Sequence, residues 1–215
     1  GGSMPRMQNT VGVKKTTQAA TASKPDKASA PKRPQPAKRS RTRVLILGGG
    51  FAGLSAAQAL NADRCEVTLV DSRPDFEFLP NIHELLSAVK TPQLLRLPLA
   101  DTLHRAGHGF VRDSVTGIDT AQQQVATQRR RRALGYDALI VALGGVDATH
   151  GVPGVREHAH AFKSVEQCSL IARRLDRLAA RRKAFHVVIV GGGIEGVEAL
   201  GEILRRHRHQ PALSV

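Results

Sequence analysis

The sequence predicts the α/β class: two modules of parallel strands and helices, the second only begun, behind a disordered basic tail. Three observations carry this. A continuous apolar run, Val44-Leu45-Ile46-Leu47, breaks into Gly48-Gly49-Gly50, and an Ala-rich helical pattern from Leu54 to Leu60 follows. The same pattern returns over His186–Val190, Gly191-Gly192-Gly193 and the residues up to Glu198. The first 43 residues, by contrast, hold almost no large apolar side chain.

The 215 residues are enough for one large or two small domains. With 41% hydrophobic residues but six Phe, one Tyr and no Trp, the core must be aliphatic, which suits parallel strands covered by helices. No apolar run approaches the roughly 18 residues needed to span a bilayer.

Residues 1–43 form the tail, of which Gly1-Gly2-Ser3, ahead of Met4, read as an expression scar. The tail carries 11 Lys or Arg against one acid, Asp26, so ten of the chain's 14 net positive charges reside there. Ala, Pro, Lys, Ser and Thr cannot bury enough surface to offset the entropy of ordering, and the segment is expected to be disordered. A basic tail suits nucleic acid or an anionic lipid surface. No aromatic residue offers a base a stacking platform, which argues against nucleic acid. Five prolines and no amphipathic helix distinguish it from a targeting peptide. A solubilising tail is the plainest reading.

The first module starts with a buried strand at Val44. Gly48, Gly50 and Gly53 fill a G-x-G-x-x-G template. Gly48 permits the turn, Gly50 lets a pyrophosphate approach the backbone, and Gly53 lets the helix pack on its strand. The free amides and dipole at that helix start form an anion site. A second strand, Glu66–Val70, ends on Asp71, 18 residues beyond Gly53, where a carboxylate can meet a ribose diol. Together these read as a Rossmann-like dinucleotide site.

The loop Ser72–Asn81, with Phe76, Phe78, Pro74 and Pro80, leaves the carboxyl end of that strand, and a short helix is expected over Ile82–Val89. Residues 91–104 are broken by Pro92 and Pro98 and suggest no chemistry. Gly109–Asp119 reads as a strand with a turn. Ala121–Thr127 and Gly135-Tyr136 read as a hairpin pair around Arg129-Arg130-Arg131-Arg132, a run that is most simply solvated. Tyr136–Val141 is a further buried strand, leaving through Ala142-Leu143-Gly144-Gly145, small residues that can lie against a flat ligand.

Residues 146–164 are the crossing to the second module, and Ser164 is the expected cap of the next helix. In the second fingerprint the glycines again occupy the first, third and sixth places, 143 residues after the first set. Ala212–Val215 look like the opening of that module's second strand. Cys65 and Cys168 have no C-x-x-C spacing and are read as buried thiols in a reducing compartment. The pairs His158/His160 and His207/His209 lack a shared helical face or a supporting acid, so no metal is expected. His207, Arg208 and His209 are read as cations facing a helix dipole.

The chain resembles the FAD-dependent pyridine-nucleotide oxidoreductases with two dinucleotide-binding domains. Within them it is most similar to the type II NADH:quinone oxidoreductases and their sulfide:quinone relatives. The carrying pieces are Val44–Gly53, Val67–Asp71, Phe76–Pro80, Tyr136–Gly145, Val152–Val155, Phe162–Ser164 and Val187–Glu202. The missing cysteine pair sets it apart from the disulfide-reducing branch, and Leu143 stands where many relatives have Thr.

The resemblance implies a division into an FAD-binding domain over 44–150 and an NAD(P)-binding domain over 151–215, incomplete at its C-terminus. It implies that Gly48, Gly50, Phe51, Ala52 and Gly53 hold the FAD pyrophosphate. Asp71, followed by Ser72 and Arg73, would meet the adenosine ribose, and Val115 with Ala142, Leu143, Gly144 and Gly145 would run along the FAD. Gly191, Gly193, Ile194, Glu195 and Gly196 would hold NAD(H) or NADP(H), with Glu198 beside nicotinamide and flavin. Hydride would pass from nicotinamide to flavin and on to a quinone or other small acceptor near Phe76–Asn81.

Family members continue for roughly as many residues again, so further polypeptide, including a possible second chain, is expected for activity. The expected location is cytoplasmic, peripheral to the inner face of a membrane. A different class stays open: a dinucleotide-binding scaffold or subunit whose basic tail recruits nucleic acid or an anionic membrane surface.

Overall fold

The computed structural model describes residues 40–181, 183–210 and 213–215, and the expected tail disorder falls outside them apart from its last residues. The first strand, β1 (Thr42–Leu47), begins two residues earlier than the apolar run. Arg43 belongs to it because its amide and guanidinium both bind Asp137, the guanidinium at 2.7 Å. The turn leads into α1 (Phe51–Ala59) and β2 (Cys65–Asp71). Then come the short ribbon strands β3 (Asp75–Glu77) and β4 (Arg96–Pro98), followed by α2 (Leu99–Arg105) and β5 (Gly109–Arg112). A meander, β6 (Val115–Asp119), β7 (Gln124–Thr127) and β8 (Leu134–Gly135), precedes β9 (Ala138–Val141). The rest is α3 (Val155–His158), α4 (Val165–Ala180), β10 (Phe185–His186), α5 (Ile194–His207) and β11 (Leu213–Ser214).

The main sheet is parallel throughout, in the order β5-β2-β1-β9. Its central strand is covered on both faces, which explains an unbroken apolar run where a one-sided strand would alternate. Val44 and Ile46 pack with Val67 and Leu69 under Leu54 and Ala57 of α1 and Leu99 and Leu103 of α2. Leu45, Leu47 and Val70 pack on the other side against Val125 and Tyr136 of the meander. Ile46 and Leu47 are fully buried, and each such side chain contributes about 1.5–3 kcal/mol by leaving water. The sheet is thus sandwiched between helices and a small antiparallel sheet, with every apolar residue of β1 committed.

Two expectations change. The helix foreseen over 82–89 is a 3₁₀ turn over Leu79–Leu85, since Pro80 sits in its first turn and Ala88 takes a left-handed φ of 58°. Residues 91–104, expected to be broken by Pro92 and Pro98, supply β4 and most of α2. Here tertiary pairing of Phe76 with Leu97 overrides two prolines that sit at element edges.

In the second module, α4 is capped by Ser164, whose hydroxyl accepts from the Gln167 amide at 3.2 Å. Val165, Cys168, Ala172, Leu175 and Ala179 recur at helical spacing on its buried face. Ala172 and Leu175 meet Ala199 and Ile203 of α5, with Leu86 of the first module inserted. The strand expected over 186–190 forms a ladder only at Phe185–His186, parallel to Leu213–Ser214. Its alternation persists beyond the ladder: Val187 and Ile189 pack inward, while Val188 and Val190 are 70% and 82% exposed.

Candidate functional site

The two glycine turns repeat each other in backbone geometry. Gly48 has φ +103° and Gly191 φ +115°, a region that other residues rarely adopt. A Cβ on Gly53 would strike the carbonyl oxygen of Gly48, and one on Gly196 would strike that of Gly191. The next neighbours also match, Ile46 Cγ2 at 3.4 Å and Ile189 Cγ2 at 3.5 Å. The first glycine of each turn is therefore required by its left-handed backbone, and the sixth by close packing. The third is different: Gly50, and likewise Gly193, has nothing within 4 Å of where a Cβ would stand. Both are extended residues at the cap of a helix, φ −76° and −72°, so the chain there leaves open space before bare amides. A pyrophosphate fits such a cradle.

Asp71 is drawn into the first turn. Its Oδ2 accepts from the Gly49 amide at 2.6 Å and its Oδ1 from the Arg73 amide at 2.8 Å. Ser72 is exposed, and the Arg73 guanidinium lies 3.8 Å from Asp71 and 3.4 Å from Glu77. The exit of β9 closes the other side. The Ala142 amide donates to Leu47 at 2.8 Å, and its carbonyl occupies the place a Cβ on Gly48 would need. Leu143 is 57% exposed, while Gly144, at φ +75°, and Gly145 have open space around them. Val115 opens β6 and packs against the meander side of the core. Phe51, at the first turn of α1, meets the Phe76 ring edge-on at 4.9 Å and Phe78 at 5.7 Å. Ala52 is exposed beside it.

In the second turn Ile194 is 74% exposed, and Glu195 ion-pairs with Lys163 at 2.6 Å. Glu198, one turn further along α5, lies 3.6 Å from Nδ1 of His83 in the 79–85 turn. Spacing alone had singled out neither His83 nor Lys163. Both answer to an acid more than 30 residues away in the chain, and no periodicity reports such a pairing.

The remaining expectations are placed as follows. Among the described residues no cluster of His, Cys, Asp and Glu suits a metal. Cys168 is buried, and burial pushes its thiol up to about 12; Cys65 is half-buried. His207, expected as a cation facing the helix dipole, is instead buried. It is 6% exposed, and burial lowers its pKa against the opposing pull of Asp176.

Over residues 42–210 the chain matches the sequence profile of the pyridine nucleotide-disulphide oxidoreductases. It belongs to that family. Among its relatives in the family is demethylphylloquinone reductase NdbB of Synechocystis sp., 31% identical over 76% of this chain and 43% of its own length. Another is the type II NADH:quinone oxidoreductase of Staphylococcus epidermidis, 30% identical over 78% of this chain and 44% of the relative. The chain thus spans less than half the length of these family members. In fold it is similar to NDH2 of Plasmodium falciparum in complex with NADH, with a TM-score of 0.71 at 22% identity, over 76% of this chain and 37% of that one. The sulfide:quinone oxidoreductase of Aquifex aeolicus gives 0.66 at 23% identity, over 80% and 42%.

Proposed function

We propose that the protein is an FAD-dependent NAD(P)H oxidoreductase that passes electrons to a quinone or similar small acceptor. The observation that carries this reading is the pair of matching glycine turns, each left-handed at its first glycine, open at its third and closed at its sixth. One module, 44–150, would hold FAD, and the other, 151–215, would hold the nicotinamide dinucleotide. FAD, when bound, supplies a two-electron acceptor that can take hydride and release electrons onward.

The chain's own contribution is binding and orientation. The amides at the starts of α1 and α5 would face a pyrophosphate, and Asp71 would offer its remaining acceptor sites to a ribose. Phe51, Phe76 and Phe78 shield one side of the first turn from water. Glu198, held toward the 79–85 turn by His83, would orient the nicotinamide, and Phe78, Leu79 and Pro80 would face the acceptor. Exposed Val188, Val190, Ile194 and Val197 beside the second turn suit cover by further polypeptide, in the same chain or a second one. A peripheral place on the inner face of a membrane suits a lipid-borne quinone. Among the described residues no helix is long and apolar enough to cross a membrane.

The scaffold reading rests on one observation, the ten net positive charges of residues 1–43. Stopped-flow bleaching of bound flavin by NADH, set beside a salt-dependent DNA shift assay, separates the two. Flavin that is bound and bleached supports the enzyme. A protein that binds no flavin and shifts DNA would falsify it.

A further inference from the structure

We infer that Glu77 is a positioning residue that registers the second dinucleotide module on the first. Its side chain is 6% exposed, and both of its carboxylate oxygens are hydrogen-bonded. Oε1 accepts from Arg96 at 3.2 and 3.4 Å. Oε2 accepts from Arg73 at 3.4 Å and from the backbone amide of Val165 at 3.1 Å. Arg73 and Arg96 belong to the segment that follows β2, whereas Val165 is the first residue of α4, 88 positions beyond Glu77 in the chain.

A helix start leaves four amides without internal partners. In α4 the cap Ser164 takes one of these, and the carboxylate of Glu77 takes another from across the module boundary. The negative charge also faces the positive end of the helix dipole. The apolar contacts at the same boundary, Ile82, Leu85 and Leu95 against Val165 and Cys168, are non-directional and would tolerate sliding. A buried carboxylate held between two guanidiniums and one amide does not.

The register carries further. α4 is clamped to α5 by Asp176 and Arg206, bonded twice at 2.8 and 2.7 Å. Fixing the start of α4 therefore fixes α5, and with it Glu198 opposite His83. The inference rests on the two-module reading of the chain, but the carboxylate's role is set by geometry that contains no cofactor.

The test needs none either. In a Cys65→Ser background, spin labels at Gln58→Cys on α1 and Leu204→Cys on α5 report the distance between modules by double electron–electron resonance. Wild type should give one narrow distance. Glu77→Ala should lose it to a broad distribution, and Glu77→Gln should fall between, because its amide oxygen still accepts from Val165.

Val165→Pro supplies the converse. Ser164 is already extended, at φ −149° and ψ 160°, as a residue before proline must be. Proline also suits the first helical position. The variant suits the start of α4 and removes the donated proton, while its ring takes the place of the Val165 side chain against Ile82, Leu85 and Leu95, so it too should broaden the distance. If Glu77→Ala does not fold, Glu77→Gln and Val165→Pro decide. Folded variants that keep the narrow wild-type distance overturn the inference. Failure to find flavin chemistry would count against the proposed function and leave the distance result standing.

Discussion

Glu198 of α5 and His83 of the 79–85 turn face each other across the two modules, Oε2 to Nδ1 at 3.6 Å. One belongs to the second fingerprint and the other to the loop that leaves the first. Their meeting brings the expected nicotinamide side of the site to the expected acceptor side. Glu198→Ala in the flavin-loaded protein should slow flavin reduction by NAD(P)H about tenfold or more, a loss of about 1.4 kcal/mol in the barrier, while flavin content stays unchanged. His83→Ala should move the same rate in the same direction by less. Wild-type rates in Glu198→Ala would remove it from the site.

Gly50→Val separates folding from binding. Gly50 sits at φ −76° with open space before it, so the variant should fold with a change in stability within about 0.5 kcal/mol. Its methyl groups then fill the pyrophosphate cradle, and the purified protein should be colourless. Gly53→Ala is the control, because its Cβ meets the Gly48 carbonyl and should cost the fold. A yellow, well-folded Gly50→Val protein would sink the assignment of the first turn.

His207 should make the second module acid-sensitive. Burial lowers its pKa from 6.5, so the unfolded chain binds the proton more readily than the folded one. The stabilising effect of keeping the ring neutral is complete above the unfolded value and is lost as pH falls below about 6.5 toward the folded value. Urea melts at descending pH should show midpoints that drop through this range. His207→Leu should flatten the drop; an unchanged profile in that variant would assign the acid sensitivity elsewhere.

The two thiols should differ in reactivity. Cys168 is fully buried, with its thiol pushed up to about 12, and Cys65 is half-buried. Thiolate is the reacting form, so an aromatic disulfide reagent at neutral pH should titrate Cys65 in the folded protein and Cys168 only after denaturation. Equal rates for both in the native state would contradict the packing of α4.

The amino-acid sequence by itself determined the glycine turns, the buried strands that feed them and the acid at the tip of β2. These are local matters. A left-handed φ, a helix that must pack close and an unbroken apolar run each leave a mark within ten or so residues. The sequence did not reveal β4 and α2 on either side of the Pro98 junction, nor how little of the 186–190 strand would find a partner. Pairing depends on what lies alongside in space, and a chain read linearly does not record it. The polar joints were hidden for the same reason. Glu77 with the Val165 amide, Glu198 with His83 and Lys163 with Glu195 each join residues 32 or more apart in the chain. Only the packing of α4 and α5 on the 75–98 segment decided which carboxylate would meet which partner. The strength of such a contact is set by burial and distance, which exist only once the chain is folded.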